Sequence, residues 1–341
     1  MKNALLLLPL PVLLLAACGG PPEEDVSREL SLARVQQALA QPNTDLLNGR
    51  TLNGRTLNGR TLNGTELAGV LVSVRYRGAT YANGAPVRHL KAEQGRLVAR
   101  KAAADDDGDD DDGGDDGDTG GRDVSRQGRD FIGAELVGNL GDGDELPLRI
   151  RDIVPGLGAN SDLLLHDVEY QDDTGAWRPI CVDAEGNRTL AVPVAGRWNH
   201  RSGVSGGGAF HGDSKAFTFA CASGAVGKCV LLGYRPWAKH GGEKLADYHQ
   251  ACTRMVRADY CGKGVSYTRN GRVINVYDNL GLLTDTEPWR VEARWDEHGA
   301  RCFRGQNRSL AAVPCYKESF EDSCGREGGL RKGELLGSEI Q

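Results

Sequence analysis

Three features that would each point to a particular class of protein are absent from the sequence. No two of its nine cysteines lie closer than eight residues, so the C-x-x-C pairs that usually build zinc sites are missing. After the N-terminal stretch, no apolar run approaches the ~20 residues that a membrane-spanning helix needs. Neither a G-X-Y period nor sustained heptads occur, and 39% of the residues are hydrophobic. Collagen, coiled coil and a wholly disordered chain are therefore excluded.

The negative charge of the chain is confined to one short segment. The 341 residues include 41 Lys and Arg against 47 Asp and Glu, a formal net charge of −6. Ten aspartates lie between Asp105 and Asp118, and without them the balance is positive by four. The surface as a whole is therefore not an acidic partner site, and we predict no nucleic-acid partner. The length corresponds to about two domains of ordinary size.

The first 18 residues have the layout of a bacterial lipoprotein signal. A short basic start precedes an apolar run, Ala4 to Leu14, that is too short to span a bilayer. Leu15-Ala16-Ala17 then leads into Cys18, which resembles a lipobox. We predict that residues 1–17 are a signal peptide and that lipid, including palmitate, on Cys18 attaches the protein to a membrane. Gly19 after the cysteine favours the outer membrane. The alternative is a plain secretory signal in which Cys18 is unmodified.

The other eight cysteines indicate a disulfide framework in the C-terminal half. They are Cys181, Cys221, Cys229, Cys252, Cys261, Cys302, Cys315 and Cys324. An even number in an exported protein predicts up to four disulfides, and eight cysteines allow about 105 connectivities. A catalytic cysteine needs a free thiolate, and an even set leaves no obvious odd thiol. We therefore interpret all eight as structural.

The rest of the chain divides by composition into five segments. They are a lipid anchor and tether at 18–46 that can form one short helix, a five-residue leucine repeat at 47–68, a β-rich N-terminal region at 69–155, a Cys-rich domain at 160–325, and a polar tail at 326–341. The R-T-L-N-G repeat resembles a pentapeptide-repeat β-helix, but arginine stands where those repeats need a small inward-facing residue. Five repeats also make only one coil. We therefore favour a turn-rich segment laid along a sheet over a free-standing solenoid.

The β-rich region contains an insert at 104–121 that is almost wholly Asp and Gly. Aspartates repel one another and glycine raises the chain entropy, so we predict that the insert is disordered. Calcium binding is the alternative. An EF-hand loop needs glycine at its sixth position, and the frames that start at Asp105 and Asp107 do not supply it. We predict at most weak, diffuse Ca²⁺ binding here and no other cofactor.

Alternating apolar and polar residues predict strands through both halves of the chain. The predicted strands are Leu67–Arg77, Arg96–Arg100, Asp130–Val137, Leu146–Ile153, Leu163–Tyr170, Trp177–Val182, Thr189–Val194, Ala216–Cys221, Cys229–Tyr234, Trp289–Trp295 and Ala300–Arg304. The turn dipeptide Asn270-Gly271 predicts a hairpin that joins Val265–Thr268 to Val273–Tyr277.

One convincing helix is predicted in the C-terminal half, over Gly241–Asp259. Its apolar stripe contains Leu245, Tyr248, Cys252, Met255 and Val256, and the residues outside the stripe or at its edge include His249, Arg254 and Arg257. The fold class is therefore mainly β with one helix in the C-terminal domain, α+β at most. Disulfides brace that domain, and a smaller β region with the short leucine repeat precedes it.

Two groups of polar residues near one Gly-rich loop are candidates for chemistry. The segment 203–207 matches G-x-S-x-G at Ser205, but a nucleophile elbow needs a strand directly before it and a helix directly after it. The glycines on both sides favour a flexible loop instead. His200, His211 and Asp213 flank this loop and would bind a metal or a substrate if they converge, although their spacing is not diagnostic. We assign neither a catalytic residue nor a metal ligand.

Two further patterns favour structural roles over chemistry. Asp167 and Glu169 lie two apart on one face of a strand, which we interpret as a solvated face rather than an acid–base pair. The five tryptophans all fall between Trp177 and Trp295. Exposed tryptophans would favour glycan binding, but core or loop positions are commoner in a disulfide-rich β domain.

The block A-C-T-R-M-V-R-A-D-Y-C-G-K-G, at 251–264, resembles the ADYC-domain family of exported bacterial proteins. The tetrapeptide itself is Ala258, Asp259, Tyr260 and Cys261. F-T-F-A-C at 217–221, G-K-C-V at 227–230 and G-Y-R-P-W at 233–237 support the resemblance. The resemblance covers about 163–304 and implies no activity. We interpret the motif as a helix end followed by a disulfide, with Gly262 in the left-handed conformation.

These patterns lead to two hypotheses of function. The first is a lipid-anchored envelope protein whose disulfide-stabilised module is structural or binds an unknown envelope partner or a glycan. The lipobox, the even cysteine count and the weakness of every catalytic pattern favour it. The alternative is a secreted hydrolase that acts on envelope glycans or peptides through the region of His200, His211 and Asp213.

Overall fold

The computed structural model describes residues 46–47, 71–100, 124–182, 186–268, 272–325 and 329–341. The predicted signal peptide, Cys18, the tether, the leucine repeat after Leu47 and the Asp/Gly insert lie outside these residues. Within them the protein is mainly β, as predicted, but it contains three α-helices rather than one. No helix in this part of the chain combines the length and the apolar character needed to cross a bilayer.

The secondary-structure elements are numbered in chain order. The strands are β1 (Leu46–Leu47), β2 (Leu71–Arg75), β3 (Leu90–Glu93), β4 (Arg96–Arg100), β5 (Val124–Gln127), β6 (Glu135–Leu140), β7 (Glu145–Pro155), β8 (Leu164–Gln171), β9 (Trp177–Pro179), β10 (Ala191–Ala195), β11 (Arg197–Trp198), β12 (Phe210–His211), β13 (Ala216–Cys221), β14 (Lys239–His240), β15 (Glu243–Lys244), β16 (Val273–Asp278), β17 (Arg290–Asp296), β18 (Gly299–Phe303) and β19 (Leu336–Ile340). The helices are α1 (Ala225–Leu231), α2 (Leu245–Arg257) and α3 (Ser319–Cys324). Two short 3-10 turns lie at Gly128–Phe131 and Gly158–Asn160.

Six antiparallel strands form a sheet that closes on itself. Their order is β10-β13-β2-β6-β7-β8, and β8 returns to β10 through the pair His166–Ala191. Closure removes the unpaired edges that an open sheet would expose. Alternate residues of β7, namely Leu146, Leu148 and Ile150, are buried inside. The sheet takes strands from both sides of the predicted boundary at 155–160, since β7 pairs with β8.

Two smaller elements complete this half. Strand β9 pairs with the C-terminal end of β8, at residues 169–171, whereas β10 pairs with β8 at His166. Strands β3, β4 and β5 form a separate three-stranded sheet. Leu90 and Leu97 from that sheet join the same apolar cluster as Phe217 and Phe219 of β13, so the small sheet shares the core of the closed sheet.

The C-terminal sheet has the order β1-β16-β19-β17-β18. Strand β19 pairs with β16 on one side and with β17 on the other. Residues 336–340 therefore do not belong to an exposed polar tail, because all five are buried at the centre of the sheet. The segment has only two large apolar residues, Leu336 and Ile340, and its partners are distant in sequence. Local polarity therefore misled the prediction.

The sequence misassigned two segments of the C-terminal half. Cys229–Tyr234 was predicted as a strand, but Ala225–Leu231 forms helix α1, because a short apolar run has no period that distinguishes strand from helix. The predicted hairpin is also wrong. Val265–Thr268 forms no strand, and β16 pairs with β1 and β19 instead.

Helix α2 is confirmed, although it is shorter than predicted, and both its apolar stripe and its polar side are buried. His249, Arg254 and Arg257, expected outside the stripe, are no more than 9% exposed. One side of α2 contacts α1, and another contacts the C-terminal sheet. From Tyr248 to Arg257 the helix is therefore buried, and its polar side chains need partners inside the protein.

All eight C-terminal cysteines form disulfides, which confirms the predicted framework and resolves its connectivity. The pairs are Cys181–Cys221, Cys229–Cys252, Cys261–Cys315 and Cys302–Cys324. The first joins β13 to the segment after β9, the second joins α1 to α2, and the last joins β18 to α3. Each of these three pairs is buried.

Removing the disulfide between α1 and α2 is expected to cost about 3 kcal/mol of unfolding free energy. The double variant Cys229→Ala/Cys252→Ala removes a cross-link between residues that are 23 apart in sequence. The unfolded chain then gains conformational entropy, and this gain lowers the unfolding free energy by that amount. Urea unfolding monitored by circular dichroism measures it. Ala246→Ser, at an exposed position of α2, is the control and should change stability by less than ~0.5 kcal/mol. A loss below ~1 kcal/mol in the double variant would contradict the expectation.

Candidate functional site

The ADYC tetrapeptide begins where helix α2 ends. Ala258 adopts the left-handed conformation, with φ 52° and ψ 40°, and its N–H bonds to carbonyls of the last helical turn. The sequence predicted Gly262 in this role. Gly262 also has a positive φ of 64°, but it lies four residues further along. The left-handed residue ends the helix and turns the chain so that Asp259 points back under it.

Asp259 is buried and holds the turn through three donors. Its Oδ1 accepts the N–H of Lys263 at 3.0 Å, and its Oδ2 accepts the N–H of Gly264 at 2.8 Å. Arg254 of α2 donates Nη1 to Oδ2 at 2.5 Å, and both side chains of this ion pair are at most 4% exposed. A buried carboxylate of this kind is stable only because each oxygen has partners.

The same arginine connects the turn to the Gly-rich loop that follows β11. Arg254 Nη1 also donates to the carbonyl of Gly207, and the Gly203 N–H donates to the carbonyl of Lys263 at 2.9 Å. A Cβ at Gly207 would meet the Lys263 oxygen at 2.3 Å, so no larger residue fits there without movement. The loop is therefore packed against the motif, and its glycines allow the two backbones to approach closely.

Gln250, one turn earlier on α2, fixes the flanks of this loop. Its Oε1 accepts the indole N–H of Trp198 at 3.2 Å and the N–H of Phe210 at 3.1 Å. Its Nε2 donates to the carbonyl of Gly208 at 3.0 Å. The side of α2 that the sequence predicted to be polar therefore serves as the attachment surface for the 198–210 loop.

Tyr260 anchors the motif to the C-terminal sheet. Its ring stacks on Phe303 and Trp295, with centroids 4.6 and 5.2 Å away, and its hydroxyl donates to Oε1 of Glu292 at 2.7 Å. Burial, together with the Glu292 carboxylate, raises the pKa of Tyr260 well above its usual value. The tyrosine is thus neutral and acts as a hydrogen-bond donor.

Glu292 is itself fully buried and accepts hydrogen bonds from residues in three other segments of the chain. It accepts the backbone N–H of Arg308 at 3.0 Å, and the Arg308 guanidinium lies 3.4 Å from the same oxygen. Its other oxygen accepts the hydroxyl of Ser338 on β19 at 2.9 Å. Tyr260, Glu292, Arg308 and Ser338 therefore form one buried polar network.

A shallow pocket of about 360 Å³ opens beside Tyr260 and Cys261. Phe320 and the disulfide Cys261–Cys315 line it and are partly exposed, whereas Tyr260 and Phe303 lie behind them and are buried. The polar groups at the pocket include His298, Arg301 and Lys317, which are exposed, and Asp296, which lies 3.5 Å from Arg301. The accessible lining is therefore largely polar, with one partly exposed aromatic ring, and a few polar groups in a concave site can orient a ligand.

The G-x-S-x-G match is not a nucleophile elbow. Ser205 is exposed, and the segment continues into the short strand β12 rather than into a helix. Without a helix, no row of backbone N–H groups faces the serine to stabilise an oxyanion. The flexible-loop interpretation is modified, since hydrogen bonds fix the loop on α2.

His200, His211 and Asp213 do not form a metal site. Among the described residues, no group of three or more His, Cys, Asp or Glu side chains is placed to hold a metal ion. Asp213 pairs with Arg197 at 3.1 Å, and Arg197 lies opposite His211 in the β11–β12 pair. His200 lies against Gly141 in the β6–β7 turn. Partial burial, with Arg201 and Arg197 nearby, lowers the pKa of His200.

Asp167 and Glu169 are less exposed than the sequence predicted, because arginines cover them. Arg188 donates to Oδ1 of Asp167 at 2.7 Å and to Oε1 of Glu169 at 2.9 Å, and Arg149 donates to Glu169 at 2.6 Å. Burial raises the pKa of Asp167. For Glu169, burial is outweighed by the hydrogen bonds from Arg149 and Arg188, so its pKa is lowered. The cluster is a salt-bridge network on the outside of the closed sheet.

The comparisons agree with the position of the motif at the centre of this arrangement. A family model of the ADYC domain matches residues 128–309, just over half of the chain, and this range contains Ala258 to Cys261. No curated protein and no solved structure matches the chain. The matched range includes most of the closed sheet, helix α2 and the residues that surround Asp259 and Tyr260. The chain belongs to the ADYC domain family.

Proposed function

We propose that this protein is a lipid-anchored component of the bacterial cell envelope whose ADYC domain is a binding module. The observation that carries the proposal is the complete pairing of the eight C-terminal cysteines, since structural disulfides form and persist in oxidising compartments outside the cytosol. Pairing leaves Cys18 as the one cysteine of the chain outside this set. The lipobox-like sequence before Cys18 then supports lipid attachment there, and Gly19 supports the outer membrane.

The pocket beside the ADYC turn is the surface that we assign to the ligand. The accessible ring of Phe320 and the polar border suit a peptide segment of an envelope protein or a glycan, which both combine apolar faces with hydrogen-bonding groups. The residues behind it, Tyr260 and Phe303, are buried in a stacked cluster. Because these buried rings are already fixed in the free protein, the protein loses less conformational entropy when a ligand binds.

Lipid attachment is expected to depend on Cys18 alone. In the native bacterium, the wild-type protein should incorporate labelled palmitate, enter the detergent phase on phase separation and sediment with the outer membrane. Cys18→Ser should lose all label and remain in the aqueous phase, because the protein then carries no acyl chain to attach it to the membrane. Gly20→Ala, two residues further on, is the control and should retain the label. Label that persists in Cys18→Ser would contradict the proposal.

A further inference from the structure

We propose that Cys261–Cys315 is a thiol–disulfide exchange site for cysteine pairs in exported polypeptides. Accessibility separates this disulfide from the other three. The six other cysteines are at most 3% exposed, whereas Cys261 and Cys315 are both partly exposed and line the pocket. Exchange requires in-line approach of a thiolate to one sulfur, so access decides which of several disulfides reacts.

The ADYC turn keeps its conformation without the disulfide. Asp259 holds the turn through Arg254, Lys263 and Gly264, and the Ala300 N–H donates to the carbonyl of Tyr260 at 2.9 Å. Tyr260 adds its bond to Glu292. These contacts remain when the sulfur–sulfur bond opens, so Cys261 stays in place as a thiol.

The segment that carries Cys315 is also held by contacts other than this disulfide. The Tyr316 N–H donates to the carbonyl of Val313 at 3.0 Å, and the Tyr316 hydroxyl donates to Glu321 of α3 at 2.8 Å. Helix α3 is fastened to β18 by Cys302–Cys324. Both sulfurs are therefore held near each other by independent contacts, which keeps the reduced pair ready to close again.

The charges around the pocket favour the thiolate form that exchange requires. Lys317 is two residues from Cys315, and Arg301 and His298 contribute to the same pocket. Asp296 opposes them, but its Oδ1 accepts the N–H groups of His298 and Gly299, and its Oδ2 lies 3.5 Å from Arg301. Arg301 is thus paired with Asp296, and His298 lies 3.3 Å from Glu297, so Lys317 is the lining cation outside these two pairs, and a nearby cation stabilises a thiolate.

The reaction is a two-electron exchange between this disulfide and a substrate dithiol. A substrate thiolate attacks Sγ of Cys315, a new sulfur–sulfur bond forms, and the old bond breaks with its electron pair on Sγ of Cys261. The second substrate thiolate then attacks the substrate sulfur of the mixed disulfide and releases Cys315 as a thiolate. The substrate is oxidised to a disulfide, and the two protons that it loses pass to Cys261 and Cys315.

The volume and lining of the pocket indicate a polypeptide substrate rather than a free small thiol. About 360 Å³ accommodates a cysteine with one neighbouring side chain, and the partly exposed ring of Phe320 provides an apolar contact for that neighbour. The proposal depends on the pocket of the proposed binding module. It does not depend on lipid at Cys18.

The test is selective reduction of the full-length native protein. The oxidised protein is incubated with a reduced two-cysteine peptide or with reduced glutathione, quenched with iodoacetamide and mapped by mass spectrometry. We expect Cys261 and Cys315 to become alkylated at least ~10-fold faster than the other six cysteines, with unchanged circular dichroism. The peptide should react faster than glutathione at equal thiol concentration. Equal rates for all four disulfides, or alkylation only with unfolding, would overturn the proposal.

Variants separate an exchange site from a structural disulfide. Cys261→Ser leaves Cys315 free and should form a stable mixed disulfide with an excess of a one-cysteine peptide supplied as its disulfide-linked dimer, because neither the protein site nor the bound peptide then has a second thiol to resolve it. The double variant Cys261→Ser/Cys315→Ser is the control and should trap nothing while it remains folded. Lys317→Gln should slow the trapping about threefold. Cys18→Ser should react like the wild type, so failure of exchange would leave the proposed localisation untouched.

Discussion

Asp259→Ala is expected to lower the free energy of unfolding by about 3–5 kcal/mol, because it leaves a buried arginine without its counter-ion. Arg254 is 3% exposed and has no route to water in the native state. The same substitution removes the acceptor of the Lys263 and Gly264 N–H groups. Urea unfolding monitored by tryptophan fluorescence measures the loss.

Two further variants distinguish the ion pair from a general effect of substitution. Asp173→Ala removes an exposed aspartate in the β8–β9 turn and should change stability by less than ~0.5 kcal/mol. The double variant Arg254→Met/Asp259→Ala contains no unpaired buried charge, so its loss should be smaller than the sum of the single losses by at least ~1 kcal/mol. A cost below ~1 kcal/mol for Asp259→Ala would mean that the pair does not hold the turn.

The second large effect expected is acid destabilisation through two buried histidines. Burial lowers the pKa of His166 and of His249 from 6.5 to about 4, against weaker opposing hydrogen bonds to backbone carbonyls. The unfolded chain therefore binds protons between pH 6.5 and 4 that the folded chain does not. Stability is fully present above pH 6.5 and falls with the pH, by about 3 kcal/mol per histidine at pH 4.

The pH dependence of variants isolates this contribution. His249 bonds to the carbonyl of Val226 through Nε2, and a glutamine amide can make the same bond without titrating. Between pH 7.5 and 4.5, His249→Gln should therefore lose about 2.5 kcal/mol less stability than the wild type. His166→Asn, which replaces the Nδ1 contact to Leu164, should behave alike. His298→Gln, at an exposed position, is the control and should follow the wild type. Parallel curves for all four proteins would contradict the expectation.

Comparison of variants is necessary because at least one carboxyl group contributes to stability with the opposite pH dependence. Burial raises the pKa of Glu339 to about 7, although a hydrogen bond from Asn275 opposes the shift. A carboxyl with a raised pKa stabilises the fold below its unfolded pKa, and that contribution is lost as the pH rises through 7. The wild-type curve alone therefore sums two effects of opposite sign. The difference between wild type and a histidine variant cancels the part due to Glu339.

Patterns within single segments predicted the mainly β fold well. Strands Arg96–Arg100 and Ala216–Cys221 have the predicted bounds, because period-two alternation or a continuous apolar run is a local property. Helix α2 was recognised by its apolar stripe. The failures involve tertiary contacts. Helix α1 has seven residues, too few for a periodic pattern, and β19 is placed by partners about 40 to 60 residues earlier in the chain.

The cysteine count predicted four disulfides, but no spacing predicted which cysteines pair. Each of the four pairs is selected by the fold, as when α1 packs on α2 and brings Cys229 to Cys252.

The contacts of the candidate site also could not be predicted from local sequence patterns. The family tetrapeptide marked the position of Asp259, but its partner Arg254 was assigned to the edge of the helix stripe. Arg254 contacts the Gly-rich loop at Gly207, 47 residues earlier in the sequence, and the carbonyl of Glu297, so its burial depends on distant segments.

The position of β19 makes the C-terminal sheet dependent on the order in which its strands are synthesised. Strands β16 and β17 do not pair with each other in the described structure; each pairs with β19, which comes later in the chain than both. The sheet therefore stays divided until residues 336–340 have been synthesised. Ser338 also supplies the hydroxyl that Glu292 accepts behind Tyr260. The motif and the pocket beside it are thus completed only when β19 pairs with strands that precede it in the chain.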